Sequence, residues 1–383
     1  MTAESPSGAP PAYRVFMAAG CYIQGPGCLD LVGEEAATLG RRVAVVGDAH
    51  VLGLVGARLA RSLEAAGLAA APFPFSGEPT RAAIEALTAQ VRGHAPDVVL
   101  GAGGGRALDA AKGVARRLAC PFISVPTIAS TDAPASRGLV VYDDEHRPAV
   151  VEQLERNPEF VIVDTALIAA APAHYLRAGI GDAVAKKFEA EACWAGHGLT
   201  KHRTRPLRSA LLIADACYQL LRGHGAAAVR AVERGVVTDD LEYTVEAALL
   251  LSAMAFENGG LSVAHGMAAA LGALPAARDA AHGFHVAYGT LVQLAVEERT
   301  DEAVDDLADF LREVGLPTRL ADLGVADAGA AAQALAADCV AAPYAHHQPR
   351  PIDRAVIRAA IERVERRAIA VHNAAGARAA QAR

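Results

Sequence analysis

The sequence predicts a chain in two parts, an α/β domain built on a parallel sheet followed by an all-helical domain. Short apolar runs alternate with helical periodicity up to about residue 170, and only helical periodicity follows. The 383 residues are 52% hydrophobic, which suffices for two buried cores. We expect a disordered tail over residues 1–12, the α/β domain over residues 13–170 and the helical domain over residues 171–383.

Short apolar runs predict strands at residues 42–48, 69–75, 97–101, 122–126 and 160–164. Helical stretches at residues 51–66, 80–92 and 108–118 separate the first four of these strands. Strands that alternate with helices pair in parallel, with helices on both faces of the sheet. In the second part, Ala-rich helical segments are clearest at residues 206–222, 244–256, 301–314 and 352–372.

Composition argues against several classes of protein. A net charge of −7 gives no basic stripe for nucleic acid. We expect no membrane partner, because no run of about 18 apolar residues occurs without a charge. The Pro-, Ser- and Gly-rich start lacks the basic and apolar regions of a secretory signal. Six scattered cysteines without a C-x-x-C pair are typical of free thiols in a reducing cytoplasm, where we expect the protein.

A glycine-rich turn follows the third predicted strand. Gly103, Gly104 and Gly105 lie between that strand and a helix, where they let the backbone approach a ligand and expose helix N–H groups to a pyrophosphate. The run is not a G-x-G-x-x-G fingerprint, since Arg106 stands at the last glycine position. A plain tight turn is the alternative interpretation.

Polar residues follow two other predicted strands. Asp48 ends the first one, where a carboxylate can bind a ribose hydroxyl and disfavour a 2′-phosphate, or can simply cap the next helix. The loop of residues 126–136 is dense in hydroxyls and carries Asp132. It can line a ligand pocket, or its side chains can satisfy their own backbone as Asx and ST turns do.

Three dispersed residues are candidate metal ligands. One carboxylate, Asp182 at an apparent helix start, and two imidazoles, His265 and His282, suit a borderline divalent ion with an open position. Taken singly, each histidine is more often a satisfied core residue. His285, three residues beyond His282, is the rival ligand.

Five motifs in the same order resemble the glycerol dehydrogenase branch of the iron-containing (group III) alcohol dehydrogenases. They are GGG-x-x-x-D-x-x-K at residues 103–112, Pro-Thr-x-Ala-Ser-Thr-Asp-Ala-Pro at 126–134, Gly-Ile-Gly-Asp-Ala at 179–183, Glu-x-Gly-Gly-Leu-x-x-Ala-His at 257–265 and His-Gly-x-x-Val-Ala-x-Gly-Thr-Leu at 282–291. The resemblance extends from about Tyr13 to the last helix.

This resemblance implies a dehydroquinate-synthase-like fold, with NAD on a Rossmann-like N-terminal domain and a metal ion in the cleft, Zn²⁺ being favoured over Fe²⁺. It implies Asp182, His265 and His282 as ligands, and Asp132 beside the substrate hydroxyls. The matching cofactor positions are Asp48, Gly103, Gly104, Gly105, Asp109, Thr127, Ser130 and Ser136. We expect a homo-oligomer that oxidises a small alcohol by hydride transfer to NAD, with His285 as a possible proton relay.

Some residues depart from the family pattern. Arg106 replaces a lysine after the glycines, Arg137 follows the hydroxyl-rich loop, and Lys186 and Lys187 follow Asp182 where neutral residues are usual. Lys186 lies one turn beyond Asp182, so we expect it to bind an acidic substrate group or to pair with a carboxylate such as Glu189 or Glu191. A solvated lysine pair is the alternative.

Two other functions compete with the dehydrogenase interpretation. One is an NAD-using lyase or synthase of the same fold that acts on a phosphorylated polyol, with Lys186 and Arg137 binding phosphate. The other is a nucleotide-binding scaffold without catalysis, which the presence of Asp182, His265 and His282 argues against.

Overall fold

The computed structural model describes residues 10–143 and 148–381 of the chain. Most of the predicted N-terminal tail, residues 1–9, lies outside these ranges. The eight strands of the described part are β1 (Cys21–Gln24), β2 (Arg42–Asp48), β3 (Ala69–Phe75), β4 (Val98–Gly103), β5 (Phe122–Pro126), β6 (Gly138–Tyr142), β7 (Pro148–Gln153) and β8 (Phe160–Val163).

Six of these strands form one parallel sheet in the order β1-β8-β5-β4-β2-β3, and β6 and β7 form a separate antiparallel pair. All five predicted strands are present. The sequence pattern does not predict β1, which has four residues and no fully buried side chain, because this strand lacks the long apolar run that marks its neighbours. The β6–β7 pair was not predicted either.

Four helices cover the two faces of the sheet: α1 (Val32–Ala37), α2 (Ala49–Ala65), α3 (Arg81–Arg92) and α4 (Gly105–Leu118). Alternate residues of β2 serve the two faces, since Val43 and Val45 pack with α1 and α2 while Ala44 and Val46 pack with α3 and α4. The helix α4 begins three residues earlier than the periodicity predicts, directly on the glycine turn.

Every described element after β8 is a helix, as predicted. The α-helices are α5 (Thr165–Ala170), α6 (Ala173–Ala195), α7 (Arg208–Glu233), α8 (Asp239–Val245), α9 (Ser252–Gly259), α10 (Val263–Ala273), α11 (His282–Val296), α12 (Asp301–Glu313), α13 (Ala328–Ala341) and α14 (Arg354–Gln381). A π-helical segment, Glu246–Leu251, joins α8 to α9. Together they enclose the largest hydrophobic core of the described chain.

The placement of Asp182 at a helix start was wrong, because this residue lies in the middle of α6. The neighbouring glycines look like a helix boundary in the sequence, but they serve packing. A Cβ on Gly181 would lie 2.3 Å from the carbonyl oxygen of Gly283, and a Cβ on Gly283 would lie 1.8 Å from that of Ala178. Glycine at both positions therefore lets α6 and α11 cross at backbone contact.

No single helix in the described ranges is long and apolar enough to cross a membrane. The segments Asp239–Gly259 and Val263–Ala273 reach the necessary hydropathy only as a pair, bent by 104°. Many of their apolar side chains belong to the buried core of the helical half.

We expect Gly283→Ala to destabilise the protein by about 2 kcal/mol, since the new methyl group would overlap the Ala178 carbonyl and force α6 and α11 apart. Gly223→Ala is the matched control, because that glycine lies inside α7 with open space around it. The control should be neutral or stabilising by up to about 1 kcal/mol. Denaturant midpoints measure both changes, and equal midpoints for the two variants would contradict the tight crossing.

Candidate metal and cofactor site

The three candidate ligands come from three different helices. Asp182 lies on α6, His265 on the first turn of α10, and His282 is the first residue of α11. One ligand atom from each lies within 4.8 Å of the others. The Nε2 atoms of His265 and His282 are 3.4 and 3.9 Å from Asp182 Oδ1. Because the His282 side chain is 49% exposed, this donor set can hold a divalent ion with one side open to a substrate.

A fourth residue, Glu189, orients His265. Its fully buried carboxylate accepts the Nδ1–H of His265 at 2.7 Å through Oε2. The other oxygen accepts the backbone N–H groups of Ser262 at 2.8 Å and His265 at 3.0 Å. Burial alone would raise the pKa of Glu189, but His265, Lys186 and the N–H groups outweigh it and lower that pKa. With Nδ1 donating to an ionised carboxylate, Nε2 is the ring nitrogen turned toward Asp182.

Lys186 extends into the same cluster from α6. Its Nζ donates to Asp182 Oδ1 at 2.8 Å and lies 3.1 Å from Asp132 Oδ2 and 3.2 Å from His265 Nε2. The side chain is buried, which would lower its pKa, yet Asp132 and Asp182 reverse that effect and raise the pKa. The ammonium therefore contacts two of the three candidate ligand atoms. If a metal cation bound Asp182 in place of Lys186, Asp132 would remain as the carboxylate partner of Lys186.

Lys186 pairs with carboxylates, as one of the two expectations had it, but its partners are Asp132 and Asp182 rather than Glu189 or Glu191. Glu189 is engaged by His265 and Ser262, and Glu191 pairs with Lys187 at 2.8 Å. Lys187 also contacts Asp215 and lies over the ring of Tyr218. Adjacent lysines project from different faces of a helix, so only Lys186 reaches the site and Lys187 belongs to a surface ion-pair group.

Four of the cofactor candidates, Asp48 and residues 103–105, lie at the carboxyl ends of β2 and β4. These strands are neighbours, although β3 comes between them in the chain, so the strand order reverses here. Gly103 has φ +143°, and Gly104 caps α4 without a side-chain hydrogen bond, which leaves the first N–H groups of α4 available to an anion. A site where the strand order reverses, beside a helix N-terminus with free N–H groups, is a typical binding site for a dinucleotide.

Asp48 satisfies one of its two predicted roles and leaves the other open. Its Oδ1 accepts the N–H of Val51 at 2.9 Å and so caps α2. Its Oδ2 lies 3.6 Å from the position a Cβ would take on Gly103. One carboxylate oxygen is therefore structural, while the other faces the glycine turn.

The hydroxyl-rich loop connects the glycine turn to the candidate ligands. At one end, the N–H of Thr127 donates to the carbonyl of Gly103 at 3.2 Å. Further along, the N–H of Asp132 donates to Asp182 Oδ2 at 3.3 Å. The N–H of Ala133 donates to Thr131 Oγ1 at 3.4 Å, which is an ST turn, and Ser136 Oγ donates to the Ala133 carbonyl three residues back at 3.5 Å. Roles for Thr127, Ser130 and Ser136 toward a cofactor stay predictions.

Asp109 and Lys112, both on α4, make hydrogen bonds to the hydroxyl-rich loop and to the strand that follows it. Lys112, fully buried, donates to the carbonyls of Ala133 at 2.6 Å and Gly138 at 2.8 Å. Asp109 accepts the N–H of Val140 at 3.2 Å, and burial raises its pKa to about 7. One oxygen of its carboxylate therefore contacts strand β6, and its role toward a cofactor stays a prediction.

The remaining candidates have structural partners. His285 donates its Nε2–H to the Ala277 carbonyl at 2.9 Å, and its role as a proton relay stays a prediction. Arg106 pairs with Glu78 at 3.2 Å. The guanidinium of Arg137 lies 3.0 Å from His202 Nδ1. All six cysteines are free, as expected.

The sequence analysis did not recognise Glu189 as the residue that orients His265. A usable signal was present, since Asp182, Lys186 and Glu189 are spaced i, i+4 and i+7 on one face of α6. Three charged residues on a face otherwise surrounded by apolar residues indicate a buried polar site. Their partners could not be read from that spacing.

Comparisons with known proteins show which family this chain resembles. A family model described as iron-containing alcohol dehydrogenase matches residues 20–165. A glycolaldehyde reductase of Halobacterium salinarum is 36% identical over 91% of this chain and 96% of its own length. A glycerol dehydrogenase of Escherichia coli O6:H1 is 39% identical over 88% of this chain and 92% of its own length. The crystal structure of a probable glycerol dehydrogenase from Sinorhizobium meliloti 1021 has a TM-score of 0.86 at 35% identity, covering 92% of this chain and 98% of that one.

We expect Glu189→Gln to weaken divalent-metal binding by roughly 10- to 100-fold, because the amide cannot accept both the His265 ring and two backbone N–H groups as the carboxylate does. Competition with a chelating dye measures the dissociation constant. Glu191→Gln, on the same helix but on the surface pair with Lys187, is the control and should bind metal normally. Equal affinities of the two variants would rule out the orienting role.

Proposed function

The chain belongs to the iron-containing alcohol dehydrogenase family, and we propose on that premise that it oxidises a small polyol or related alcohol with NAD at a divalent-metal site. One observation carries the proposal: Asp182, His265 and His282 converge beside Asp132. In the reaction the alcohol loses a hydride to the nicotinamide ring and its hydroxyl proton to solvent, which yields a carbonyl compound, NADH and a proton.

The residues present fit both groups. One carboxylate and two imidazoles are a donor set that suits Zn²⁺ and Fe²⁺ alike, and of the two we propose Zn²⁺. The glycine turn and the uncapped start of α4 fit a pyrophosphate. When bound, the cation supplies Lewis acidity at the alcohol oxygen and NAD supplies the hydride acceptor.

The chain's own residues position the metal ligands and the substrate. Glu189 fixes the ring of His265, and Asp182 links two ligands to the hydroxyl-rich loop through the N–H of Asp132. The carboxylate of Asp132 is available to a substrate hydroxyl on the side away from Lys186. Lys186 stabilises Asp132 and Asp182 in their ionised forms.

The relatives support this class of reaction. They are named as a reductase of glycolaldehyde and as glycerol dehydrogenases, which act on small hydroxylated compounds. Nothing in these names favours the lyase alternative. The convergence of three ligand side chains also gives no support to a scaffold without catalysis.

Replacement of His265 by Ala should abolish bound metal and NADH formation while NAD binding persists, since the ligand lies on α10 and the glycine turn belongs to the sheet. Metal content by elemental analysis, NADH absorbance and NAD affinity test the three parts. His174→Ala, on an exposed position of α6, is the control. Full turnover by a metal-free His265→Ala protein would show the metal proposal to be wrong.

Asp48→Asn should narrow the preference for NAD over NADP by about 10-fold, because the amide retains the cap on α2 but removes the charge that repels a 2′-phosphate. The ratio of kcat/KM values for the two cofactors is the measurement. Asp327→Asn, which changes the equivalent cap of α13, serves as the control. A wild-type preference for NADP would mean that Asp48 does not select the cofactor.

A further inference from the structure

A second lysine lies beside the site. Lys201 belongs to the segment between α6 and α7, and its Nζ lies 5.0 Å from the ring centre of Phe256 and 5.9 Å from that of Tyr344. The Nζ of Lys186 also lies 5.4 Å from the centre of Phe256. Phe256 therefore connects Lys201 to the cluster that contains the candidate metal ligands.

Lys201 differs from the other lysines near the site in having no polar partner within the described part of the chain. Lys186 contacts Asp132 and Asp182, Lys187 contacts Glu191 and Asp215, and Lys112 donates to two carbonyls. The ammonium of Lys201 rests only on aromatic faces. Such faces attract a cation but leave its N–H donors free for an anion.

The charges around Lys201 also leave its ammonium uncompensated. Partial burial lowers its pKa and Lys186 adds to that effect, while Asp132, Glu189 and Glu257 oppose it. The carboxylates of Asp132, Asp182 and Glu189 are already engaged by Lys186 and His265. Glu257 accepts hydrogen bonds from the Asn157 side chain and the backbone N–H of Arg137. None of these carboxylates forms an ion pair with Lys201, so its N–H donors remain available to another group.

We propose that Lys201 binds an anionic group of the substrate, a carboxylate or a phosphate, and so sets specificity for a charged hydroxy compound. The inference rests on the proposed function, in which the alcohol group of the substrate is oxidised at the neighbouring metal ligands. It assigns to Lys201 the role expected for Lys186 from sequence, because the charge of Lys186 is already neutralised by two carboxylates. The rings of Phe256 and Tyr344 hold the cation in place without competing for its donors.

Three substrates with the same diol core test this role: glycerol, glycerate and glycerol phosphate. NADH formation is measured with the metal- and NAD-loaded enzyme. The wild type should prefer one of the two anions, and the preferred one distinguishes carboxylate from phosphate. Lys201→Met should lower kcat/KM for that anion by roughly 10- to 100-fold, mainly through KM, with a much smaller loss for glycerol.

Two further variants separate charge from structure. Lys201→Arg retains the cation and its aromatic contacts and should restore most of the preference. Lys187→Met removes a lysine that also lies over an aromatic ring but is paired away from the site, so it should not alter the ratio between substrates. Equal losses for glycerol and both anions in Lys201→Met, or a wild-type preference for glycerol, would overturn the proposal.

A binding measurement distinguishes failure of this role from failure of the proposed function. If none of the three compounds yields NADH, none of them is a substrate of the proposed reaction, and the anion site is tested by binding. Protection against thermal unfolding by glycerate and glycerol phosphate then tests Lys201 by itself. Protection that exceeds that of glycerol and disappears in Lys201→Met supports the anion site, whereas protection that is equal in both proteins contradicts it.

Discussion

Backbone contact between helices is the constraint on which the site depends. Gly181 and Gly283 let α6 and α11 touch, and Gly289 lets α11 touch α10 at the carbonyl of Ala264, where a Cβ would lie 2.3 Å away. Each candidate ligand is the chain neighbour of one contact residue: Asp182 follows Gly181, His265 follows Ala264, and His282 precedes Gly283. The close packing of these helices therefore also sets the distances between the ligand atoms.

The buried charged side chains of the site stabilise one another. Asp132, Asp182, Glu189 and Lys186 come from a loop and one helix face, and each would be costly to bury alone. Lys186 forms ion pairs with two carboxylates, and Glu189 is stabilised by an imidazole and two N–H groups. This arrangement offsets much of the desolvation cost before any metal binds. It also means that the ligand oxygen of Asp182 is shared between an ammonium and an incoming cation.

The hydroxyl-rich loop couples the two halves of the chain. It hydrogen-bonds the glycine turn through Thr127 and the ligand Asp182 through Asp132, and Lys112 anchors it through two carbonyls. A shift of α4 would therefore move the loop, the turn and the contact with Asp182 together. Since hydride transfer requires the cofactor and the alcohol in a fixed relative position, such a link is a mechanical requirement of the proposed reaction.

The sequence by itself determined the class of fold, five strands of the parallel sheet, the helical second half and the set of three candidate ligands, because local periodicity and ordered motifs carry that information. Tertiary structure decided the rest. Gly179 and Gly181 signal a helix end in sequence, and only the folded chain shows that they lie inside α6, where Gly179 packs against Ala129 of the hydroxyl-rich loop and Gly181 against α11. Likewise, only the folded chain shows that Lys186 is neutralised, that Glu189 orients His265 and that Lys201 is unpaired within the described chain. Ion pairing and tautomer choice depend on distances between residues remote in sequence, which no local pattern encodes.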